Sequence, residues 1–301
     1  MVKCLLQYRK LIKDYGAVAV STANQSQAQV VLPNYGDLKF LDIEETVAIT
    51  VGTGTARTIS ALYALHNIVL RDKNQQPVIN APEGYDIPFM AFMLSSRIGK
   101  PATSGKFPTI SAMGATGGTA MVCIPTRLIM ADQPAVLDLT IGTISDLCST
   151  VGTATATIAV KVYGIWEDAA VTADGLPVLP SLRIEAIPTI AVTSAGDNTI
   201  NMMPQLGRLI DDTGILSNGT YAVGADADIT AVTLAPSGGA GLDAISTQNI
   251  IDEENLNAES GHQTGFYKLG HSPYTVTTLT KFIATCLVTK VLRLYLMRES
   301  V

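Results

Sequence analysis

The chain has 301 residues, of which 47% are hydrophobic and only 15% are charged, and its formal net charge is −6 at pH 7. This length and apolar content allow two domains of ordinary size, each with its own core. The charged fraction is well below the roughly 25% that is typical of soluble domains, so contacts between subunits are expected to cover part of the surface. The acidic balance argues against a general nucleic-acid binder, which is usually basic.

The N-terminal residues 2–15 predict an amphipathic helix. Six side chains gather on one apolar face at 100° per residue: Cys4, Leu5, Tyr8, Leu11, Ile12 and Tyr15. Four basic residues fall on the other side: Lys3, Arg9, Lys10 and Lys13. Two interpretations stay open, a helix that packs on protein and a helix whose basic face contacts an anionic membrane surface. The segment lacks the apolar run of a secretion signal.

An arm and a β-rich first domain are predicted to follow the helix. The remainder of 1–36 is small and polar, which is typical of an extended arm. Strand-like segments rich in β-branched residues then run from Leu38 to Trp166, and the apolar Pro88–Leu94 is assigned to them as a strand. Turns containing Gly, Pro and Asn separate these segments at a spacing that favours a sandwich or barrel. The first domain is therefore predicted to span 37–168.

A linker and a second β-rich domain complete the chain. Residues 169–180, AAVTADGLPVLP, contain two prolines and a glycine, which predicts an interdomain linker. The second domain is then expected over 181–301. Its middle, at about 211–272, is richer in Gly, Asn, Asp and Ser, so long loops around a few strands are expected there, displayed at one end of the domain.

The two halves of the chain resemble each other in sequence. Residues 41–59, LDIEETVAITVGTGTARTI, align without a gap to 182–200, LRIEAIPTIAVTSAGDNTI, with seven identities in nineteen positions. The halves also end alike, at 158–166 and 287–295. A similar beginning and a similar ending predict two copies of one β-rich domain. Chance similarity between strands rich in Thr and Val is the alternative.

Two glycine-containing segments resemble phosphate-binding loops but lack their requirements. Residues 99–106, GKPATSGK, place five residues between the glycines where a P-loop has four, and Phe107 stands where a magnesium-binding Ser or Thr is needed. Gly52-Thr53-Gly54 has no third glycine two residues further on and lies between strands. A hairpin turn is the better interpretation, and nucleotide binding is not expected.

The residues that could support metal binding or catalysis do not form a recognisable motif. The three histidines, His66, His262 and His271, include no H-x-H pair, and no G-x-S-x-G elbow is present. His66 lies in an apolar strand, which favours a structural role. The acids that could bind calcium lack an EF-hand pattern and are expected to be solvated turn residues: Asp211, Asp212, Asp226 and Asp228. The four cysteines form no C-x-x-C pair. No cofactor, metal or catalytic residue is predicted.

Two tandem β-domains, each beginning with a Leu-x-Ile-Glu strand, follow an amphipathic N-terminus in a chain of low charge. This organisation resembles the double jelly-roll major capsid proteins of tailless, lipid-containing icosahedral viruses, the lineage that includes the adenovirus hexon. The sequence patterns of Leu38–Val51 and Ala64–Asp72 are similar to those of strands in such phage coat proteins. The likeness covers about 37–301. Within the lineage it points to small icosahedral phages with an internal membrane, such as the Flavobacterium-infecting lipid phage.

The resemblance implies an all-β fold of two eight-stranded jelly-roll sandwiches that stand upright on a virion. Three copies would form a pseudo-hexameric homotrimer, since two similar domains in three chains give six. The loops at 211–272 would form an outward tower, and the predicted helix would place Lys3, Arg9, Lys10 and Lys13 near lipid headgroups. The implied partners are the chain itself, neighbouring capsomers, vertex and minor capsid proteins and an internal membrane. The resemblance implies no sequence-specific binding of nucleic acid. It does imply that the chain is synthesised in the host cytoplasm.

Two other function classes are weighed against a shell protein. A carbohydrate-binding or adhesion β-sandwich, such as a spike or lectin, would use aromatic platforms, yet aromatic residues make up only 6% and Trp166 is the single tryptophan. A β-barrel enzyme would need a catalytic set that the sequence does not reveal. A structural protein without enzymatic activity is the favoured prediction.

Overall fold

The computed structural model describes residues 7–98, 112–168, 181–191, 195–219, 222–223, 226–235, 245–257, 262–269, 273–287, 289 and 291–299. Strands dominate these residues. The chain divides into two compact units, of which the first extends to Glu185 and the second runs from Ala186 to Glu299.

The first unit is built mainly from antiparallel strands, with two α-helices. Its strands are β1 Gln7–Ala19, β2 Gln25–Ser26, β3 Val30–Val31, β4 Asp37–Thr50, β5 Thr55–Ala56, β6 Leu65–Arg71, β7 Pro77–Glu83, β8 Gly117–Leu128, β9 Val136–Ile141, β10 Cys148–Thr150 and β11 Thr155–Glu167. Its helices are α1 Asp86–Ile98 and α2 Ile144–Leu147, and short 3-10 turns are Ala61–Ala64 and Met130–Asp132.

Two sheets form the framework of this unit. One has the order β1-β11-β4-β8, and in the other β7, β6 and β9 follow one another with β2 and β3 both paired to β9. Burial alternates along β11, where the inward residues are apolar and the outward ones are polar or partly exposed. The inward set is Ala156, Ile158, Val160, Val162, Gly164 and Trp166. Because successive side chains of a strand point to opposite faces, this alternation places one face of β11 in the core.

The second unit contains the remaining strands and one α-helix. Strand β12, Leu182–Ala191, begins in the first unit and continues into the second. The others are β13 Gly196–Ile200, β14 Leu209–Ile210, β15 Asp212–Gly219, β16 Ala222–Val223, β17 Ile229–Ala235, β18 Ile245–Ser246, β19 Phe266–Leu269, β20 Tyr274–Thr275, β21 Lys281–Cys286 and β22 Val291–Glu299. The helix is α3 Thr247–Asn257, and 3-10 turns are Met203–Gln205 and Asp226–Asp228.

The order of strands is the same in both units. In one sheet the first strand of the unit lies beside its last strand, and two others follow: β1-β11-β4-β8 in the first unit and β12-β22-β15-β19 in the second. The other sheet joins β2 and β3 to β9, β6 and β7 in the first unit, and has the order β13-β21-β17-β18 in the second. Two four-stranded antiparallel sheets in this order make a jelly roll. The predicted all-β fold with two tandem jelly rolls is confirmed.

The strand order corrects the alignment of the two halves. The similar endings at 158–166 and 287–295 fall on β11 and β22, which are equivalent last strands. The similar beginnings at 41–59 and 182–200 start on β4 and β12, which are not equivalent. The counterpart of β4 is β15, and the counterpart of β12 is β1. Two strands with the same Leu-x-Ile-Glu pattern thus produced a correct prediction of duplication from a wrong register.

The helix predicted over 2–15 is wrong for the residues that the structure describes. From Gln7 onward this segment is β1, which pairs with β11 as far as Ala19. Residues 1–6 lie outside the described part. Register shifts between Leu11 and Lys13 and between Asp14 and Ala17 break the alternation of side chains, because a bulge adds one unpaired residue. The interrupted alternation of apolar residues in this segment resembles the period of a helix. The segment is nevertheless a strand, because it pairs along most of its length with β11.

Three further predictions concern Pro88–Leu94, the region at 211–272 and the linker. Pro88–Leu94 belongs to helix α1, not to a strand, because a uniformly buried apolar run carries no period that separates the two. The region at 211–272 includes β15 in the middle of a sheet, where Gly214 pairs on both sides, so turn signals there were overridden by pairing. The predicted linker 169–180 lies outside the described residues, and the domain limits stay predictions.

Candidate functional site

The basic residues predicted to lie near lipid are placed on the edge strand β1. Arg9 donates from Nε to Asp42 Oδ2 at 3.0 Å, and its guanidinium lies 3.8 Å from the centre of the Tyr163 ring. The Arg9 side chain is 46% exposed, whereas that of Asp42 is 8% exposed. Arg9 thus holds a nearly buried carboxylate on the outer face of the sheet, and an ion pair of this kind adds a modest stabilisation.

The other two described basic residues of β1 lie over different aromatic rings. The ammonium of Lys10 is 4.0 Å from the centre of the Tyr35 ring, and that of Lys13 is 5.5 Å from the Tyr15 ring. Successive residues of a strand point to opposite faces, so the basic residues do not share the single face that a helix would give them. Lys3 lies outside the described residues.

The residues rejected as catalytic or metal-binding take structural roles where they are described. Gly52 and Gly152 have φ of +53° and +50° in two tight turns. The predicted hairpin at Gly52 is only a turn, because the flanking strands β4 and β5 pair with other strands and not with each other. These turns are joined by Thr53 and Thr153, whose backbone N–H groups each donate to the other's hydroxyl at 3.0 and 3.1 Å. Within the ranges that the structure covers, no cluster of His, Cys, Asp or Glu could hold a metal ion. Residues 99–106 and His271 fall outside those ranges.

The acids of the second unit bind protein groups. Asp226 Oδ1 accepts from His262 Nε2 at 2.9 Å and from the Gly265 N–H at 2.6 Å. Asp212 Oδ2 lies 3.2 Å from Lys268 Nζ. The prediction that these acids are solvated turn residues is therefore wrong for Asp211, Asp212 and Asp228, which are all buried.

The sequence does not reveal a partly buried polar cluster in the first unit. His66 on β6 contacts a carboxylate with each ring nitrogen, Nδ1 with Glu83 of β7 and Nε2 with Asp146 of α2, the latter at 3.2 Å. Asp146 Oδ2 also accepts from the Thr143 N–H at 2.6 Å, within a capping box at the start of α2. Since both ring nitrogens face acceptors, both carry a proton and the imidazole is a cation.

Glu45 makes no hydrogen bond to this cluster among the described residues but feels the charge of His66. It lies in the middle of β4, opposite Val160 of β11 and Ala120 of β8, and its side chain is completely buried. Neither of its carboxylate oxygens has a hydrogen-bond partner among the described residues. Burial raises the pKa of Glu45 well above its usual value, and the positive charge of His66 opposes that shift. A signal was present, because Glu45 occupies the inward register of Ile43, Val47 and Ile49.

No helix in the described part of the chain has the length and apolar character needed to cross a membrane.

Comparison with known proteins finds similarity in structure alone. No protein-family model matches the chain, and no curated protein matches it significantly. The major capsid protein of Sulfolobus turreted icosahedral virus superposes with a TM-score of 0.68 and 13% identity, over 97% of this chain and 95% of that one. The major capsid protein P2 of bacteriophage PM2 gives a TM-score of 0.54 and 7% identity, over 97% and 96%.

A third match is PBCV-1 VP54, as fitted into a reconstruction of the virophage Sputnik. Its TM-score is 0.57 at 11% identity, over 99% of this chain and 94% of that one. All three proteins have the double jelly-roll fold. The likeness extends over nearly the full length of each partner, so both jelly rolls of this chain and their order are shared with these structures.

Proposed function

We propose that this chain is the major capsid protein of an icosahedral virus, a structural subunit without catalytic activity. The observation that carries the proposal is the full-length match, at TM-scores of 0.54 to 0.68, to proteins named as major capsid proteins or fitted into a viral shell. Two jelly rolls with the same strand order in one chain supply the near-equivalent surfaces that a ring of subunits needs.

The proposed assembly is a homotrimer with pseudo-sixfold symmetry. Three chains with two jelly rolls each place six similar modules around a ring, and closed cyclic arrangements are the common form of homo-oligomers. The low charged fraction of 15% supports extensive contacts between copies. Vertex and minor capsid proteins would complete the shell, and synthesis in the host cytoplasm would precede assembly.

The assembly is tested by the mass of the purified protein in solution. We expect a stable species of about 95 kDa by light scattering at neutral pH and moderate salt, which is three times 31.7 kDa. Shells seen by electron microscopy at higher concentration would extend the result. A 31.7 kDa species that persists at high concentration would contradict the proposal. Glycan binding by that monomer would favour an adhesion domain, although Trp166 is fully buried and offers no sugar platform.

We further propose that the N-terminal strand faces the headgroups of an internal membrane. Arg9, Lys10 and Lys13 are spaced along one edge strand, and each lies over a tyrosine ring. Tyrosine and basic side chains are both favoured at membrane–water interfaces, and an anionic leaflet attracts basic residues near its surface by about 1 kcal/mol each. Lys3 is assigned to the same surface as part of this proposal.

Vesicle binding tests the lipid contact. Replacing Lys10 and Lys13 with glutamine is expected to weaken binding to anionic phosphatidylglycerol vesicles by about fivefold for each residue. Binding to neutral phosphatidylcholine vesicles should be weak for every variant. Lys281→Gln, on an exposed position of β21 in the second unit, is the matched control. Equal loss in this control, or no loss in the Lys10 and Lys13 variants, would contradict a lipid contact at β1.

A further inference from the structure

We propose that Glu45 and His66 form an alkali-sensitive element inside the first jelly roll, which loosens that unit when the two groups lose their protons. The proposal concerns residues on the two facing sheets of one unit: Glu45 on β4 and His66 on β6. It stands on the geometry of this cluster and does not depend on the proposed shell function.

Glu45 occupies a position that tolerates only its neutral form. Its strand lies between β11 and β8 in the sheet, so apolar neighbours flank it on both sides. Both oxygens lack a partner among the described residues, and the side chain is fully buried. An ionised carboxylate without hydrogen bonds in such surroundings is strongly destabilising. The proton on Glu45 is therefore part of the folded state.

His66 occupies a position that requires its charged form. Burial by itself would lower the pKa of His66, but the hydrogen bonds and negative charges of Asp146 and Glu83 raise it to about 9. The imidazolium joins β6 to β7 through Glu83 and to α2 through Asp146. Gly142 packs closely against the ring, since a Cβ added there would lie 2.5 Å from His66 Nε2.

The charged groups beyond the cluster also bind defined partners. The carboxylate of Asp86, at the start of α1, accepts from the Glu83 N–H at 3.0 Å. Arg57 donates from Nε to the Ser145 carbonyl of α2 at 3.2 Å. On the neighbouring strand β9, the residue opposite His66 is the neutral Thr140. The proton on His66 is thus balanced by the two carboxylates that contact it, and Glu45 adds no charge while it is protonated.

Both groups change stability in the same direction as pH rises. The folded state binds the His66 proton more tightly than the unfolded chain, so this contribution is complete below pH 6.5 and is lost as pH rises to about 9. The folded state also retains the Glu45 proton above the pH at which the unfolded chain releases it. Stability therefore falls with rising pH from 4.5 upward through Glu45, and between 6.5 and about 9 through His66.

Thermal unfolding followed by tryptophan fluorescence tests this element in the full-length protein. Trp166 is the single tryptophan and lies on β11, so its emission reports on the first unit. We expect the midpoint of the wild-type transition to fall by roughly 5 °C or more between pH 6 and 9.5. In Glu45→Gln, the midpoint should fall less over this range and exceed that of the wild type increasingly above pH 7.

The matched control is Glu44→Gln, because Glu44 lies on the same strand but points to the opposite face. It should follow the wild-type pH dependence. His66→Gln should be less stable at pH 6 and should lose less stability than the wild type between pH 6.5 and 9, because only the Glu45 contribution remains. A flat wild-type profile, or Glu45→Gln and Glu44→Gln profiles that both run parallel to the wild type, would overturn the proposal. If His66→Gln does not fold, the two glutamate variants decide the question alone.

Discussion

Replacing Trp166 with alanine is expected to destabilise the first jelly roll by about 3–5 kcal/mol, the usual cost of truncating a large buried aromatic side chain. Trp166 is fully buried near the end of β11. Its ring packs edge-on against Tyr35, with centroids 5.2 Å apart, and such aromatic pairs add stability beyond their buried area. Alanine would remove this contact and leave a cavity where the ring is now buried.

Gly164, on the same strand, leaves the space that the Trp166 ring occupies. A Cβ added at Gly164 would lie 2.2 Å from the ring atoms of Trp166, so any larger residue at Gly164 displaces the indole. Gly164→Val is therefore expected to be as damaging as Trp166→Ala, by overpacking instead of by a cavity.

Urea unfolding followed by circular dichroism measures this effect, because the alanine variant has no tryptophan to observe. Trp166→Phe is the matched control. It keeps an aromatic ring and removes an indole N–H that has no partner among the described residues, so a cost below about 1.5 kcal/mol is expected. A Trp166→Ala variant that unfolds within 1 kcal/mol of the wild type would show that the ring does not anchor the core.

The strands of this core were predictable from local pattern, because a strand with one face on the core and the other face outward alternates between buried and more exposed residues. β11 alternates over its whole length from Thr155 to Glu167, and its counterpart β22 carries a similar sequence. The β-rich fold class followed from this period and from the turns between strands, and the duplication followed from the similar sequences of the two halves. Such signals are local, and they survive without knowledge of which strands pair.

The pairing itself was not available from the sequence. β1 was missed because its bulges disturb the alternation and because it lies at a sheet edge, where one face need not be apolar. The equivalence of β4 with β15 depends on strand order, which no short motif records. The contact of His66 with Glu83 and Asp146 joins residues 17 and 80 positions apart (83 − 66 and 146 − 66), so only the folded sheets reveal it.

Polar contacts hold the residues just after the predicted linker in the first unit. Residues 181–185 belong to the first unit. Ser181 donates to Asp132 Oδ2 at 2.5 Å and accepts from the Ile129 N–H at 3.2 Å. Two residues later, Arg183 donates to Asp72 Oδ2 at 2.6 Å and to the Pro77 carbonyl at 3.1 Å. Ser181 and Arg183 are thus held within the first unit by polar contacts.

Replacing Arg183 with alanine is expected to lower the free energy of unfolding by about 3 kcal/mol. Asp72 is 1% exposed and Arg183 12% exposed. Asp72 Oδ1 keeps its bonds from the Asn74 and Gln76 N–H groups, both at 2.8 Å, but Oδ2 would lose its charged donor. Removing one partner of a buried ion pair leaves an uncompensated charge, which is more costly than removing both.

Urea unfolding of the full-length protein, followed by Trp166 fluorescence, measures this cost. The double variant Arg183→Met with Asp72→Asn removes both charges while keeping most of the volume and an amide that can accept the two N–H groups. It is expected to recover at least half of the stability lost in Arg183→Ala. Arg183→Lys keeps the charge but not the forked geometry that reaches both Asp72 and the Pro77 carbonyl, so an intermediate loss is expected. A double variant no more stable than Arg183→Ala would mean that the contact acts through packing of the arginine side chain and not through charge, and the buried carboxylate would then be tolerated without its partner.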